Sequence, residues 1–75
     1  MEQKVIKIIS KLLEVETNEI DLDTIIGDLP EWDSLHHLMI IKELEDEFNI
    51  KFSQEDLSDL EDVSDLIELT KEMIH

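Results

Sequence analysis

Apolar residues recur at the spacing of an α-helix in three stretches of this chain, and one long connection separates the first stretch from the others. From Glu2 to Val15, the side chains of Val5, Ile9, Leu12 and Leu13 share a face that Ile6 and Ile8 widen, while Lys4, Lys7 and Lys11 fall on another. From Ser34 to Phe48, a wheel at about 100° per residue gathers Ile40, Ile41, Leu44 and Phe48 on one side. After Asp62, an apolar side is supplied by Val63, Leu66, Ile67, Leu69, Met73 and Ile74. Three such faces can bury themselves only against one another. The expected fold is all-α: a small bundle of three main helices and one short helix, with a long first loop, in a single domain over residues 1–75.

Local signals refine these limits. Asp33 is a good N-cap for the second helix, and Asn49 is a stop signal after it. Ile50 and Phe52 flank Lys51 in an alternation that predicts a brief extended stretch, too short for a strand. Ser53 can cap a turn of helix over Gln54–Leu57, and Asp62 with Asp65 resembles a capping box for the last helix. The connection from Glu16 to Trp32 holds the only glycine, Gly27, and the only proline, Pro30. So long a loop needs anchors. Ile20, Leu22, Ile25, Ile26, Leu29 and Trp32 are expected to pin it across the core, with a helical turn starting at Asp23-Thr24.

Charge narrows the partners. Twenty-one acidic residues stand against six lysines and no arginine, a formal net charge of −15. Nucleic acid and anionic membrane surfaces are poor partners for such a chain, because phosphate contacts need lysine and arginine. Proteins with basic patches are the natural ones. There is no cysteine, hence no disulfide, no thiol nucleophile and no cysteine-held metal. The apolar run Val5–Leu13 is broken by Lys7, Ser10 and Lys11 and is too short to span a bilayer. A cytoplasmic monomer is expected.

Asp33-Ser34-Leu35 opens the second helix, followed by Leu38, Ile40-Ile41, Leu44-Glu45, Glu47-Phe48 and Ile50. Together with Glu19-Ile20-Asp21-Leu22-Asp23-Thr24 upstream and Val63 and Leu66 downstream, this pattern resembles the acyl carrier protein family over most of the chain. Three letters alone would occur by chance in many proteins. Their place at the head of an acidic amphipathic helix, in a chain of 75 residues, is specific. The resemblance implies a carrier and not an enzyme. It implies that Ser34 receives 4'-phosphopantetheine from coenzyme A through a phosphopantetheinyl transferase, and that the thiol of the arm holds an acyl or aminoacyl thioester. Asp33, before the serine, takes a supporting role toward the transferase. The physics of the position agrees, since a helix N-terminus suits a phosphodiester.

The same helix is the family's docking surface. The wheel places Leu35 and Met39 away from the core stripe beside Lys42, Glu43 and Asp46, with Leu38 on the border. An apolar ridge rimmed by acids suits a protein contact. Leu35, Leu38 and Met39 are therefore expected to dock loading and transfer enzymes, with Glu43, Asp46 and Glu47 steering their basic patches. His36 and His37 are adjacent and point about 100° apart, a poor geometry for one metal ion. His37 falls on the core side, where it is expected to line the rim for an arm or acyl chain. Asp21-Leu22-Asp23 with Asp28 lacks the glycine and final glutamate of a calcium loop.

Two features depart from the bulk fatty-acid carriers. Leu29-Pro30-Glu31-Trp32-Asp33 replaces a Leu-Gly-x-Asp run, and His36 and Lys42 stand where acidic or apolar residues are usual. They favour a dedicated pathway, such as polyketide assembly, amino-acid activation or surface-polysaccharide modification, over fatty-acid synthesis. The alternative reading is an acidic helical adaptor that binds a basic protein and carries nothing.

Overall fold

Glu14 ends the first helix two residues before the apolar periodicity does. The computed structural model describes residues 2–74, so Met1 and His75 of the expected 1–75 domain lie outside the described residues. Helix α1 spans Glu2–Leu13. Glu14 then turns left-handed at φ 58°, and the Val15 N–H reaches back to the Ser10 carbonyl at 3.1 Å. This is the helix-closing arrangement usually built on glycine. The Ser10 hydroxyl, nearly buried, donates to the Val15 carbonyl at 2.6 Å and locks the reversal.

Helix α2 spans Ser34–Phe48, helix α3 Gln54–Ser58 and helix α4 Val63–Met73. Each starts on a side chain that accepts a free N–H of its first turn: Asp33 from His36, Ser53 from Asp56, and Asp62 from Asp65. The reciprocal bond expected at Asp62 is displaced by one residue, because the Asp65 carboxylate takes the N–H of Glu61 at 3.1 Å. Asn49 closes α2 at φ 55°, with the Ile50 N–H on the Glu45 carbonyl at 3.0 Å. Beyond it, Phe52 turns into the core and its N–H donates to Glu45 Oε2 at 2.8 Å. That side chain occupies the donor a strand partner would need.

The core is one cluster. Val5 and Ile9 of α1, Ile40 and Leu44 of α2, and Val63 and Leu66 of α4 are fully enclosed, with α1 packed along α2. Truncating any of the isoleucines or leucines among them to alanine removes about 2–5 kcal/mol. A radius of gyration of 11.1 Å matches the roughly 11 Å expected for a compact chain of this length. Among the described residues, no helix is long and apolar enough to cross a membrane.

The long connection is ordered differently from the sequence expectation. Ile20 and Trp32 are buried and Ile26 and Leu29 half-buried, but Leu22 and Ile25 are 39% and 51% exposed. The Leu22–Ile26 stretch is held by its backbone. Ile26 N–H donates to the Glu61 carbonyl, while Val63 and Ser64 N–H donate to Thr24 and Leu22, all within 2.9–3.0 Å. These bonds pair the loop with the start of α4 around an isolated bridge, Ile25 to Asp62. The helical turn lies at Thr17–Glu19, where Glu19 Oε2 accepts the Glu16 N–H at 2.9 Å. Asp23-Thr24 belongs instead to a turn in which Asp21 Oδ1 accepts the Asp23 N–H at 2.9 Å. Gly27, at φ 87°, supplies the one reversal here that a side chain would strain.

Candidate functional site

Trp32 and Asp33 set up the head of α2 by facing opposite ways. Trp32 is 2% exposed and its backbone N–H closes a turn on the Leu29 carbonyl at 2.9 Å. Its indole N–H donates to His37 Nδ1 at 3.1 Å, with the two rings tilted at 36°. The chain therefore enters α2 from a fixed point in the core. Asp33 follows in extended conformation at φ −92°, ψ −175°, and its Oδ1 accepts the His36 N–H at 2.9 Å. His36 Nδ1 lies 2.8 Å from the same oxygen. These contacts, the backbone bond first, hold the Asp33 carboxyl below its ordinary value of 3.8. His37 is half-buried, and burial holds its imidazole below 6.5.

Ser34 is the first residue of the helix and is exposed, as are Asp33 and Leu35 on either side. The first-turn N–H groups of Ser34 and Leu35 have no carbonyl four residues back within the helix to bond. An anionic substituent on Ser34 would sit beside those donors, next to the Asp33 carboxylate whose Oδ1 serves as the cap. The residues present thus fit a phosphodiester-linked arm. The other four serines are occupied or withdrawn. Ser10 is nearly buried and bonded to Val15. Ser53 caps α3, and Ser58 donates to the Glu55 carbonyl at 2.9 Å. Ser64 is half-buried in α4.

The expected docking residues divide. Leu35, Leu38 and Met39 are 64%, 63% and 42% exposed on α2, a large apolar display for so small a protein. Asp46 and Glu43 are exposed too. Glu47 is turned toward α1, where it pairs with Lys4 at 3.7 Å. Glu43 and Glu47 line a groove of about 260 Å³ with Lys4, Lys7 and Lys11, so part of their field is spent within the molecule. Among the described residues no group of three or more histidine or acidic side chains is placed to hold a metal ion.

Reading residues alone misses both histidine contacts. His36 sits three residues after Asp33, a spacing that could have flagged the pair. The Trp32–His37 bond crosses a loop–helix junction, and nothing local in the sequence announces it.

A family model described as phosphopantetheine attachment site matches residues 3–70. Among solved structures, the chain is similar to a holo acyl carrier protein from Geobacter metallireducens determined by NMR in solution. The TM-score is 0.86 at 28% identity, covering 96% of this chain and 83% of that one. A search of curated proteins gives no match.

Proposed function

This chain belongs to the acyl carrier protein family, whose members are carriers with covalently attached 4'-phosphopantetheine and not enzymes, and on that premise we propose that Ser34 is its attachment residue. The observation that carries this reading is the contrast among the five serines. Ser34 alone combines an exposed position, a hydroxyl free of intramolecular hydrogen bonds among the described residues, and a place at the head of a 15-residue helix. When bound, the arm supplies a thiol that holds an acyl or aminoacyl group as a thioester. The chain's own part is to present Ser34, to keep its first-turn N–H groups turned to the phosphodiester, and to be recognised. A tether of this kind works by raising the effective concentration of its cargo at a docked enzyme.

Recognition falls to α2. Leu35, Leu38 and Met39 form the contact, and Asp46 and Glu43 steer basic patches of the transferase and of acyl- or aminoacyl-handling enzymes. Glu47, tied to Lys4, contributes less. Asp33 supports the transfer as the cap that sets the orientation of Ser34. Trp32, His36 and Lys42, against the pattern of bulk fatty-acid carriers, favour a dedicated biosynthetic pathway. Residues 1–75 act as one carrier domain.

Intact-mass measurement after incubation with coenzyme A and a promiscuous transferase tests the reading. One phosphopantetheine increment, absent in Ser34→Ala, is expected. A chain that takes up no arm while the transferase modifies a control carrier is an acidic adaptor instead.

A further inference from the structure

Ser34 is enclosed, along the chain, by a hydrogen bond between residues on either side of it. Trp32 lies two positions before and His37 three positions after, and the 3.1 Å bond between their side chains closes a ring around Asp33-Ser34-Leu35-His36. We propose that this bond is a latch that positions Ser34 for arm transfer, and that it holds only while His37 is neutral. The inference rests on Ser34 as the attachment residue.

The chemistry of the two rings dictates the condition. An indole N–H can only donate, so His37 Nδ1 must offer its lone pair and its proton must be on Nε2. Protonation puts a hydrogen on Nδ1 as well, and two N–H groups then face each other. The indole of Trp32 is buried, so water does not readily replace the lost acceptor. The surroundings favour the neutral ring. His37 is half-buried, and it stands in the first turn of α2, at the positive end of the helix dipole. Burial disfavours the charged ring, and the carboxylate at the same helix end, that of Asp33, is engaged by His36 at 2.8 Å. Loss of the latch frees the Leu29–Asp33 turn from the core and loosens the cap beside Ser34. Trp32 and His37 thus act through the placing of Ser34, as positioning residues.

Trp32 is the only tryptophan, so its emission reports the latch without reference to Ser34. Acidification from about pH 8 to pH 5 should shift the wild-type emission to the red with a midpoint below 6.5. His37→Asn places a non-titrating acceptor near the Nδ1 position, and its emission should stay flat. The rate of arm transfer to wild type, divided by that to His37→Asn at each pH, cancels the enzyme's own titration. This ratio should fall about tenfold per pH unit below the midpoint, because only the neutral fraction is competent. His37→Ala should be slow at every pH. In the unaltered protein, imidazole nitrogen shifts should show the Nε2–H tautomer, a readout independent of any variant's folding. A wild-type emission that does not titrate, a transition that survives in His37→Asn, a constant rate ratio, or the Nδ1–H tautomer would each overturn the latch. Ser34→Ala separates the two readings. An arm gained by that variant refutes the attachment residue, whereas a failed latch with Ser34→Ala unmodified leaves the attachment residue standing.

Discussion

Asp33 Oδ1 meets His36 twice, accepting its backbone N–H at 2.9 Å and lying 2.8 Å from its imidazole Nδ1. One oxygen thereby starts the helix and orients the ring next to Ser34. Asp33→Asn keeps an acceptor for the backbone bond and should melt close to wild type. Asp33→Ala leaves the donor to water and should lower the Tm by about 5 °C. The carboxyl is held below 3.8 in the folded chain. The unfolded chain therefore takes the proton first, so the stabilisation is present above 3.8 and is lost as pH falls through the lower folded value. Thermal melts between about pH 2 and pH 7 should show that loss in wild type and not in Asp33→Asn.

Glu45 joins α2 to the segment after it by accepting the Phe52 N–H at 2.8 Å. Phe52 is 9% exposed, and removing the acceptor leaves that N–H poorly hydrated. Glu45→Ala should cost about 1–3 kcal/mol, and Glu45→Gln, which retains an oxygen there, distinctly less. Urea unfolding of the two variants checks the order.

Two left-handed positions carry opposite expectations. Glu14, at φ 58°, bears a side chain where the helix-closing turn favours none, so Glu14→Gly should stabilise by roughly 0.5–1 kcal/mol. Gly27 already meets that demand at φ 87°, and a Cβ there would find only the Trp32 carbonyl oxygen, at 3.8 Å. Gly27→Ala should therefore cost about 1–2 kcal/mol from backbone conformation alone, without a clash. Paired thermal melts test both signs.

The exposed ridge on α2 predicts a separation of function from stability. Leu35 is 64% exposed, so alanine there should change stability by less than about 0.5 kcal/mol, while alanine at Met39, 42% exposed, should cost about 1 kcal/mol. Arm transfer should slow by about tenfold in the double variant through weaker docking. Unchanged transfer rates would leave the ridge as an ordinary solvated surface.

The helices and the ridge were legible because period and capping are local. Val5, Ile9, Ile40 and Leu44 lie where the wheels place them, and Asp33, Ser53 and Asp62 each accept the expected first-turn N–H. The connection was not. Leu22 and Ile25 read as anchors because they are apolar, yet their segment is held by backbone bonds to Glu61, Val63 and Ser64, far away along the chain. Backbone pairing leaves no mark on residue identity. The end of α1 was missed for a related reason, since Glu14 occupies a turn position that glycine or asparagine normally signals. At the site, Ser34 and Asp33 were visible in the motif, whereas Trp32 and His37 meet only once the loop has folded back.

The central claim is that one serine, Ser34, carries the arm. Tandem mass spectrometry of the digested chain, after incubation with coenzyme A and a promiscuous transferase, tests it most directly. A single phosphopantetheine increment is expected on the peptide containing Ser34 and none on those containing Ser10, Ser53, Ser58 or Ser64. An increment on any of those four, or an unmodified Ser34 peptide while a control carrier is fully converted, would contradict it.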